Sequence, residues 1–436
     1  MKSQCHRITV IILCLLLSHS SGSAPNSHTV CIVGSGIGGA SVAHFLRHYS
    51  SIQSQVIDRV TIFERNGVVG GRMATVTISG ETFEAGASIL HPKNYHTLNF
   101  TKSLNLSVND PKNNEDTFSL GIWDGHKFVF KTLSSNSKLP IVQRFVSYVN
   151  SIILCLRYGF SLYRMNAFVE VITRINYGQS VNISGLAGAV SLAGSGGGLW
   201  SVKGGNWQMA AGLIDRSDVQ LLLNEEIESI SKLGDFYELN STLGKSYSCQ
   251  VTVVATPLDE LNIRFSPGIS IPPRKLQHTH ATFVRGVLNP VYFGLKEVKD
   301  IPELVGTIES ADVPFSSISI LKQHDNDMTY KVFSRHELAD DLLDKIFSVR
   351  EETIKINWGA YPHYHAPEQY APFILDDNHL YYVNAFENAA STMETSAVAA
   401  ENIARLILSR LYAQVDLSSP NLKSSSIDLS EKHVDL

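Results

Sequence analysis

The sequence predicts an α/β fold: a Rossmann-like parallel-sheet domain assembled from discontinuous segments, joined to an α+β domain. A glycine-rich turn sits between an apolar strand and an amphipathic helix near residue 34. Strand patterns suited to the same sheet return near residues 251 and 380. The chain has 436 residues, 44% hydrophobic and 18% charged, which allows two to three domain-equivalents at about 100–200 residues each. Lys and Arg number 36 against 41 Asp and Glu, a net charge of −5. That balance excludes the basic stripe of a nucleic-acid-binding chain.

The first element is Thr29 to Val33, a short apolar run of the kind buried in a parallel sheet. It enters a turn in which Gly34, Gly36 and Gly39 form G-x-G-x-x-G around Ser35. Val42, Phe45, Leu46 and Tyr49 then share one helical face. A second strand, Val60 to Phe63, ends at Glu64. Each part has a mechanical task. Gly34 permits the tight turn, Gly36 admits a pyrophosphate to the backbone, and Gly39 lets helix and strand close up. The helix N-terminus favours the phosphates, and Glu64 can accept hydrogen bonds from a ribose diol. Glu64 lies 30 residues past Gly34 rather than about 20, and the polar stretch Ser50 to Arg59 absorbs the difference.

The residues after Glu64 bear on which dinucleotide binds. Gly70, Gly71 and Arg72 follow, and this pair of glycines with Arg resembles the signature of flavoprotein oxidases of the amine-oxidase type. Gly198 to Ile214 resembles the glycine pair and helix that open the second part of such FAD domains. Val219 to Ile230 reads as a strand, as does Cys249 to Ala255, ended by Thr256 and Pro257. Nearer the C-terminus, His379 to Phe386 reads as a strand, followed by a turn at Glu387 and a helix from about Thr392 to Arg410. In that architecture the helix start, here Thr392 and Met393, faces the flavin ring. The segment ENAASTMETS holds no Cys or His, so FAD is expected to be non-covalent.

The expected boundaries follow. Residues 28–83, 198–264 and 363–412 form the FAD-binding domain. Residues 84–197 and 265–362 form the substrate domain, in which Phe118 to Phe130 reads as a hairpin turning at Asp124-Gly125. Phe145 to Met165 is an unusually apolar helix, suited to core packing, to lining a hydrocarbon site, or to peripheral membrane contact. Residues 413–436 are a polar tail expected to be disordered. Lys2, His6 and Arg7, then Ile8 to Leu17, then small residues to Ala24 read as a signal peptide over 1–24, since about ten apolar residues are too few to span a bilayer.

Of the five cysteines, Cys5 and Cys14 fall in that leader. Cys31, Cys155 and Cys249 remain, an odd number, with Cys31 read as a core filler. Asn99, Asn105, Asn182 and Asn240 begin N-x-[S/T] sequons and are candidate glycan sites behind a signal peptide. No metal site is predicted. His363 and His365 have a suitable i, i+2 spacing but no evident carboxylate partner.

Together these motifs resemble the prenylcysteine oxidase (farnesylcysteine lyase) family. The likeness includes Phe83 to His96, RYGFS at 157–161, RINYGQS at 174–180, AYPHYHAPE at 360–368 and Leu380 to Ala404, so it covers nearly the whole mature chain. The resemblance implies oxidative cleavage of the thioether of S-farnesyl- or S-geranylgeranyl-cysteine. FAD takes a hydride from the carbon beside sulfur, water adds, and the products are cysteine, a prenyl aldehyde and, from molecular oxygen, hydrogen peroxide. It also implies a lysosomal or vacuolar lumen. His91, Tyr361 and His363 are candidates for holding water or the amino-acid end of the substrate. Relative to the family, a helical stretch is expected to be missing at the Glu170/Val171 junction, as in a shortened form. Two alternatives stay open: an FAD amine or polyamine oxidase, and a catalytically silent luminal binding protein.

Overall fold

The computed structural model describes residues 27–53, 56–109, 119–131, 162–195 and 198–418. In chain order the strands are β1 (His28–Val33), β2 (Ile57–Glu64), β3 (Thr75–Ile78), β4 (Glu81–Glu84), β5 (Val108–Asn109), β6 (Leu120–Trp123), β7 (Phe128–Lys131), β8 (Ser201–Val202), β9 (Gln220–Leu223) and β10 (Ile227–Leu233). They continue with β11 (Phe236–Ser241), β12 (Ser246–Cys249), β13 (Val251–Val254), β14 (Arg264–Ser266), β15 (Leu276–Leu288), β16 (Leu304–Thr307), β17 (Ser317–Gln323), β18 (Met328–Ser334), β19 (Phe347–Pro362) and β20 (Leu380–Tyr382). The helices are α1 (Ile37–Gln53), α2 (Tyr95–Ser103), α3 (Leu162–Tyr177), α4 (Gly185–Ala193), α5 (Trp207–Arg216), α6 (Asp340–Ile346) and α7 (Met393–Ser418).

One sheet is parallel throughout, in the order β20-β13-β1-β2-β9. Its strands are apolar on both faces because both faces are covered. Val30 and Ile32 pack into a core with Val42 and Leu46 of α1, Leu213 of α5 and Ile403 and Ile407 of α7. The alternate residues, Cys31 and Val33, face a four-stranded sheet (β12-β11-β10-β14) through Ile230, Tyr237 and Leu239. On that face Cys31 is joined to Cys249 in a disulfide, with Cα atoms 5.9 Å apart. This corrects the reading of Cys31 as a filler: the side-chain alternation of β1 aims it at the neighbouring layer, where the end of β12 delivers its partner.

The second large sheet has the order β19-β15-β18-β17-β16-β6-β7 and is antiparallel except where β16 joins β6. Two long strands form its spine, paired from Leu276↔Pro362 to Leu288↔Phe347. The hairpin β6–β7 turns where expected. Asp124 Oδ1 accepts the N–H of His126 and Lys127, and Gly125 takes φ +103°. Helix α3 closes on β16 with Val171 buried. A Cβ added at Gly306 would lie 2.3 Å from Val171 Cγ1, so glycine is what permits that approach. The helix runs unbroken through Glu170 and Val171.

Several sequence-read elements are shorter or split. Val219 to Ile230 is two strands in two sheets, parted at Asn224, whose φ of +56° no strand tolerates. Cys249 to Ala255 is likewise split, with Cys249 ending β12 and Val251–Val254 forming β13. Only Leu380–Tyr382 of 379–386 is strand, and a 3₁₀ turn, Val383–Asn388, replaces the rest. Helix α7 runs on to Ser418, past Arg410 and into the expected tail, since no Gly or Pro interrupts it before Pro420. The signal peptide, Cys155, RYGFS and nearly all of the apolar 145–165 segment lie outside the described residues.

Candidate functional site

The dinucleotide cradle is built where β1 gives way to α1. Gly34, at φ +107°, donates its N–H to Phe63 O at 2.8 Å, and a Cβ there would meet Ala255 O at 2.7 Å. A Cβ on Gly39 would lie 2.0 Å from Gly34 O. These two glycines are demanded by the chain itself. Gly36 is different: its added Cβ would find nothing nearer than Gly70 O at 3.7 Å. The space beside it is the kind a pyrophosphate fills.

Glu64 closes the acidic end. Its Oε2 accepts from Ser35 N at 3.1 Å and Ser35 Oγ at 2.6 Å, and its Oε1 from Asn66 N and Nδ2, both at 2.9 Å. Ser35 thus joins the turn to the acid. Gly70 bridges to Gly36, with its N–H on Ser35 O at 3.2 Å, and a Cβ added at Gly71 would lie 3.4 Å from Gly36 Cα. Thr256 flanks Gly34, its Cβ 3.6 Å from where a Gly34 side chain would begin.

Arg72 reaches away from the glycine turn. Its NH1 donates to Ala360 O at 2.6 Å and its NH2 pairs with Glu387 Oε1 at 2.6 Å. Glu387 is buried and also accepts from Ser391 Oγ at 2.8 Å, from Asn384 Nδ2 at 3.0 Å and from Arg274 NH2 at 3.3 Å. Burial alone would raise its pKa, but Arg72 and Arg274 outweigh that and hold the carboxyl below its ordinary range. Arg274 completes the cluster on Asp259 at 2.5 Å and on Asn388 Oδ1 at 3.1 Å. This ionic cluster pins the 3₁₀ turn before α7 to the loop after β13 and to the end of β19.

The start of α7 is capped reciprocally: Thr395 N donates to Thr392 Oγ1 and Thr392 N to Thr395 Oγ1, each at 3.0 Å. Thr392 is therefore committed to the cap. Met393 points into the helical core, 7% exposed. Beside this helix start stands an aromatic cluster from the two most distinctive sequence motifs. Tyr177 meets Tyr361 edge-on at 4.9 Å and Tyr364 at 5.0 Å, and Tyr364 is 1% exposed. Burial pushes all three phenols up, so they stay neutral donors.

The three candidate catalytic residues are not brought together. Tyr361 joins the cluster. His363 is exposed, its N–H on Lys275 O at 2.9 Å. His91 is engaged in the turn before α2, where its Nδ1 accepts from Lys93 N at 3.1 Å, and burial lowers its pKa. Asn99, Asn105 and Asn182 are exposed, while the Asn240 side chain bonds across strands to Ser229 and Ser246. Among the described residues no group of His, Cys, Asp and Glu could hold a metal ion.

Sequence reading missed Arg274 and Asp259, and also a buried lysine. Lys331 Nζ donates to Glu84 O at 2.9 Å and Ser88 Oγ at 3.1 Å, over the Phe333 ring at 4.7 Å. Burial lowers its pKa to about 8 and raises that of Glu84 to about 7. Glu84 Oε1 accepts from Asn206 N at 2.7 Å, and its Oε2 has no partner. A raised carboxyl binds its proton more readily when folded, so Glu84 subtracts stability as pH climbs from about 4.5 to about 7. Glu84→Gln keeps the Asn206 bond and is expected to remove that loss. Its Tm should match wild type below pH 4.5 and rise above it progressively toward pH 7. Lys331 acts in a separate window, from about 8 up to 10.5. A variant-minus-wild-type difference flat across pH 4–8 would refute the assignment.

Comparison with known proteins agrees with this geometry. The family model for prenylcysteine lyase matches residues 126–419, and one for an NAD(P)-binding Rossmann-like domain matches residues 32–104. Farnesylcysteine lyase of Arabidopsis thaliana is 57% identical, covering 92% of this chain and 92% of its own. Prenylcysteine oxidase 1 of Homo sapiens is 31% identical, covering 89% and 90%. In this chain α3 runs unbroken through Glu170 and Val171. The 460 aligned positions exceed the 436 residues of this chain by 24, so the plant relative carries at least that many residues this chain lacks, in keeping with the expectation of a shorter form. Among solved structures, cyclohexylamine oxidase from Brevibacterium oxydans has a TM-score of 0.61 at 17% identity, over 88% of this chain and 100% of that one. Putrescine oxidase bound to putrescine has a TM-score of 0.60 at 13% identity, over 88% and 99%. These two show the fold alone. The fold, the dinucleotide cradle and the meeting of RINYGQS with YPHYHAPE at one cluster agree with the family match: the chain belongs to the prenylcysteine lyase family.

Proposed function

We propose that this chain is an FAD-dependent oxidase that cleaves the thioether of S-prenyl-L-cysteine, using molecular oxygen and water and yielding a prenyl aldehyde, cysteine and hydrogen peroxide. The observation that carries it is the buried tyrosine cluster of Tyr177, Tyr361 and Tyr364, set against the start of α7 and next to the Arg72–Glu387 pair. Gly36, Glu64, Gly70 and Gly71 would hold FAD non-covalently along β1 and β2. Bound FAD supplies the hydride acceptor, which molecular oxygen regenerates. The chain's part is to bind and orient. An aromatic, neutral wall suits an allylic chain, each buried methylene contributing about 0.8 kcal/mol. It suits an amine poorly, because the carboxylate at hand, Glu387, is neutralised by Arg72 and Arg274.

Farnesylcysteine is expected to produce peroxide and farnesal, while spermine produces none. In isotopically labelled water with rapid trapping of the aldehyde, the label should enter farnesal. Unlabelled farnesal, or a sulfoxide formed without peroxide, would overturn hydride removal followed by water addition.

The proposal extends to location: entry to the secretory pathway and residence in a lysosomal or vacuolar lumen. The Cys31–Cys249 disulfide supports an oxidising compartment, and the exposure of three sequon asparagines supports glycan attachment. Protein made in a eukaryotic cell is expected to gain gel mobility on glycosidase treatment and to have lost its leader. An intact N-terminus with unchanged mobility would count against this.

A further inference from the structure

The tyrosine cluster is tied to the start of α7 by one hydroxyl. Ser391 N donates to Tyr364 Oη at 2.8 Å, and Ser391 Oγ donates to Glu387, the carboxylate held by Arg72. Tyr364 is held from the other side by Gln179, which is 8% exposed. Tyr364 N donates to Gln179 Oε1, and Gln179 Nε2 donates to Pro362 O, both at 2.9 Å. Gln179 stands two residues after Tyr177, beyond Gly178 at φ +64°. A continuous buried path therefore runs from the end of α3, through Gln179 and Tyr364, to the residues adjoining the cofactor cradle.

We propose that Tyr364 is a positioning residue for the oxidation: its hydroxyl registers Tyr177 and Tyr361 against the Ser391 end of α7, beside which FAD would be held. This rests on the prenylcysteine reading. Packing alone asks only for the ring, which fills the space between Tyr177 and α7 with or without its oxygen. The hydroxyl has a separate task. It takes up an N–H at a helix start, where free donors add positive potential. Burial keeps it protonated, and its ring meets that of Tyr177 edge-on at 5.0 Å. Without the hydroxyl oxygen the Ser391 N–H loses this partner, and a donor is freed beside the place where FAD would be held.

The test is Tyr364→Phe in the full FAD-loaded chain, with Gln179→Ala and the double variant beside it. Flavin absorbance, FAD affinity, Tm, and kcat and KM for farnesylcysteine are measured. Tyr364→Phe is expected to keep wild-type FAD affinity and shift the flavin band. It should lower kcat about tenfold with KM changed less than about twofold, since a register error shows in the transition state rather than in binding. Gln179→Ala should reproduce the kcat–KM split, and the double variant should be no worse than either single, because both act on one path. A Tyr364→Phe enzyme with wild-type kcat and an unmoved flavin band overturns the proposal, as does a double variant that loses the product of the single losses. If wild type gives no peroxide from farnesylcysteine, the substrate reading fails. The flavin band then decides alone: a shift upholds the positioning role, and none refutes it.

Discussion

Glu387→Gln is expected to cost about 3 kcal/mol of stability and to abolish peroxide formation, because it leaves the buried guanidinium of Arg274 and the partly exposed one of Arg72 facing a neutral amide. Glu387 is 6% exposed and serves Arg72 at 2.6 Å and Arg274 at 3.3 Å. Arg274 retains Asp259, but Arg72 retains only the Ala360 carbonyl. The loss should depend on pH in a definite direction. The folded carboxyl titrates below its ordinary range, so its contribution is present above that range and fades as pH falls through the folded value. Wild type and variant should therefore converge at low pH, in chemical denaturation followed by tryptophan fluorescence. Equal stability of the two near pH 7 would show that the cluster is no more than a set of neutral hydrogen bonds.

What could be read in the sequence and what could not divide along the same physical line. The β1–Gly34–α1–β2–Glu64 unit was legible because strand, turn, helix and acid follow one another, and each leaves a local mark in spacing or residue type. The hairpin at Asp124-Gly125 was legible for the same reason. Arg274 and Asp259 were not. They are single charged residues, 113 and 128 positions before Glu387, and nothing local separates them from surface charges. The Cys31–Cys249 link spans 218 positions, and only the facing of two layers reveals it. Lys331 looks like a solvent-facing residue of an alternating strand, yet its stem crosses Phe333 and its ammonium ends on Glu84 O and Ser88 Oγ. The tyrosine cluster falls between. RINYGQS and YPHYHAPE were distinctive as strings, but that Gln179 grips the 362–364 turn is a fact of tertiary structure.

Gly36→Ala and Gly39→Ala should fail in opposite ways, and the contrast tests the cradle. At Gly39 the new methyl would lie 2.0 Å from Gly34 O and 3.2 Å from Ile32 Cγ2, so β1 and α1 must part. That variant is expected to be insoluble or to melt far below wild type, with or without FAD. At Gly36 the nearest protein atoms would be 3.7 and 3.9 Å away, ordinary van der Waals contact, and the apo-chain should fold and keep its Tm. What the methyl occupies is the approach of a pyrophosphate to the backbone amides at the start of α1. Losing two or three charge-assisted hydrogen bonds of about 1.5–3 kcal/mol each predicts FAD affinity weaker by more than about a hundredfold. Glu64→Gln offers a comparison at the ribose end: it can keep the Ser35 contacts, but it removes the charge and turns an amide NH2 toward the Asn66 donors. Titration of apo-protein with FAD, followed by quenching of flavin fluorescence, measures each affinity directly. If Gly36→Ala binds FAD as wild type does, the phosphates do not lie over that turn, and the cofactor must be held elsewhere on the parallel sheet.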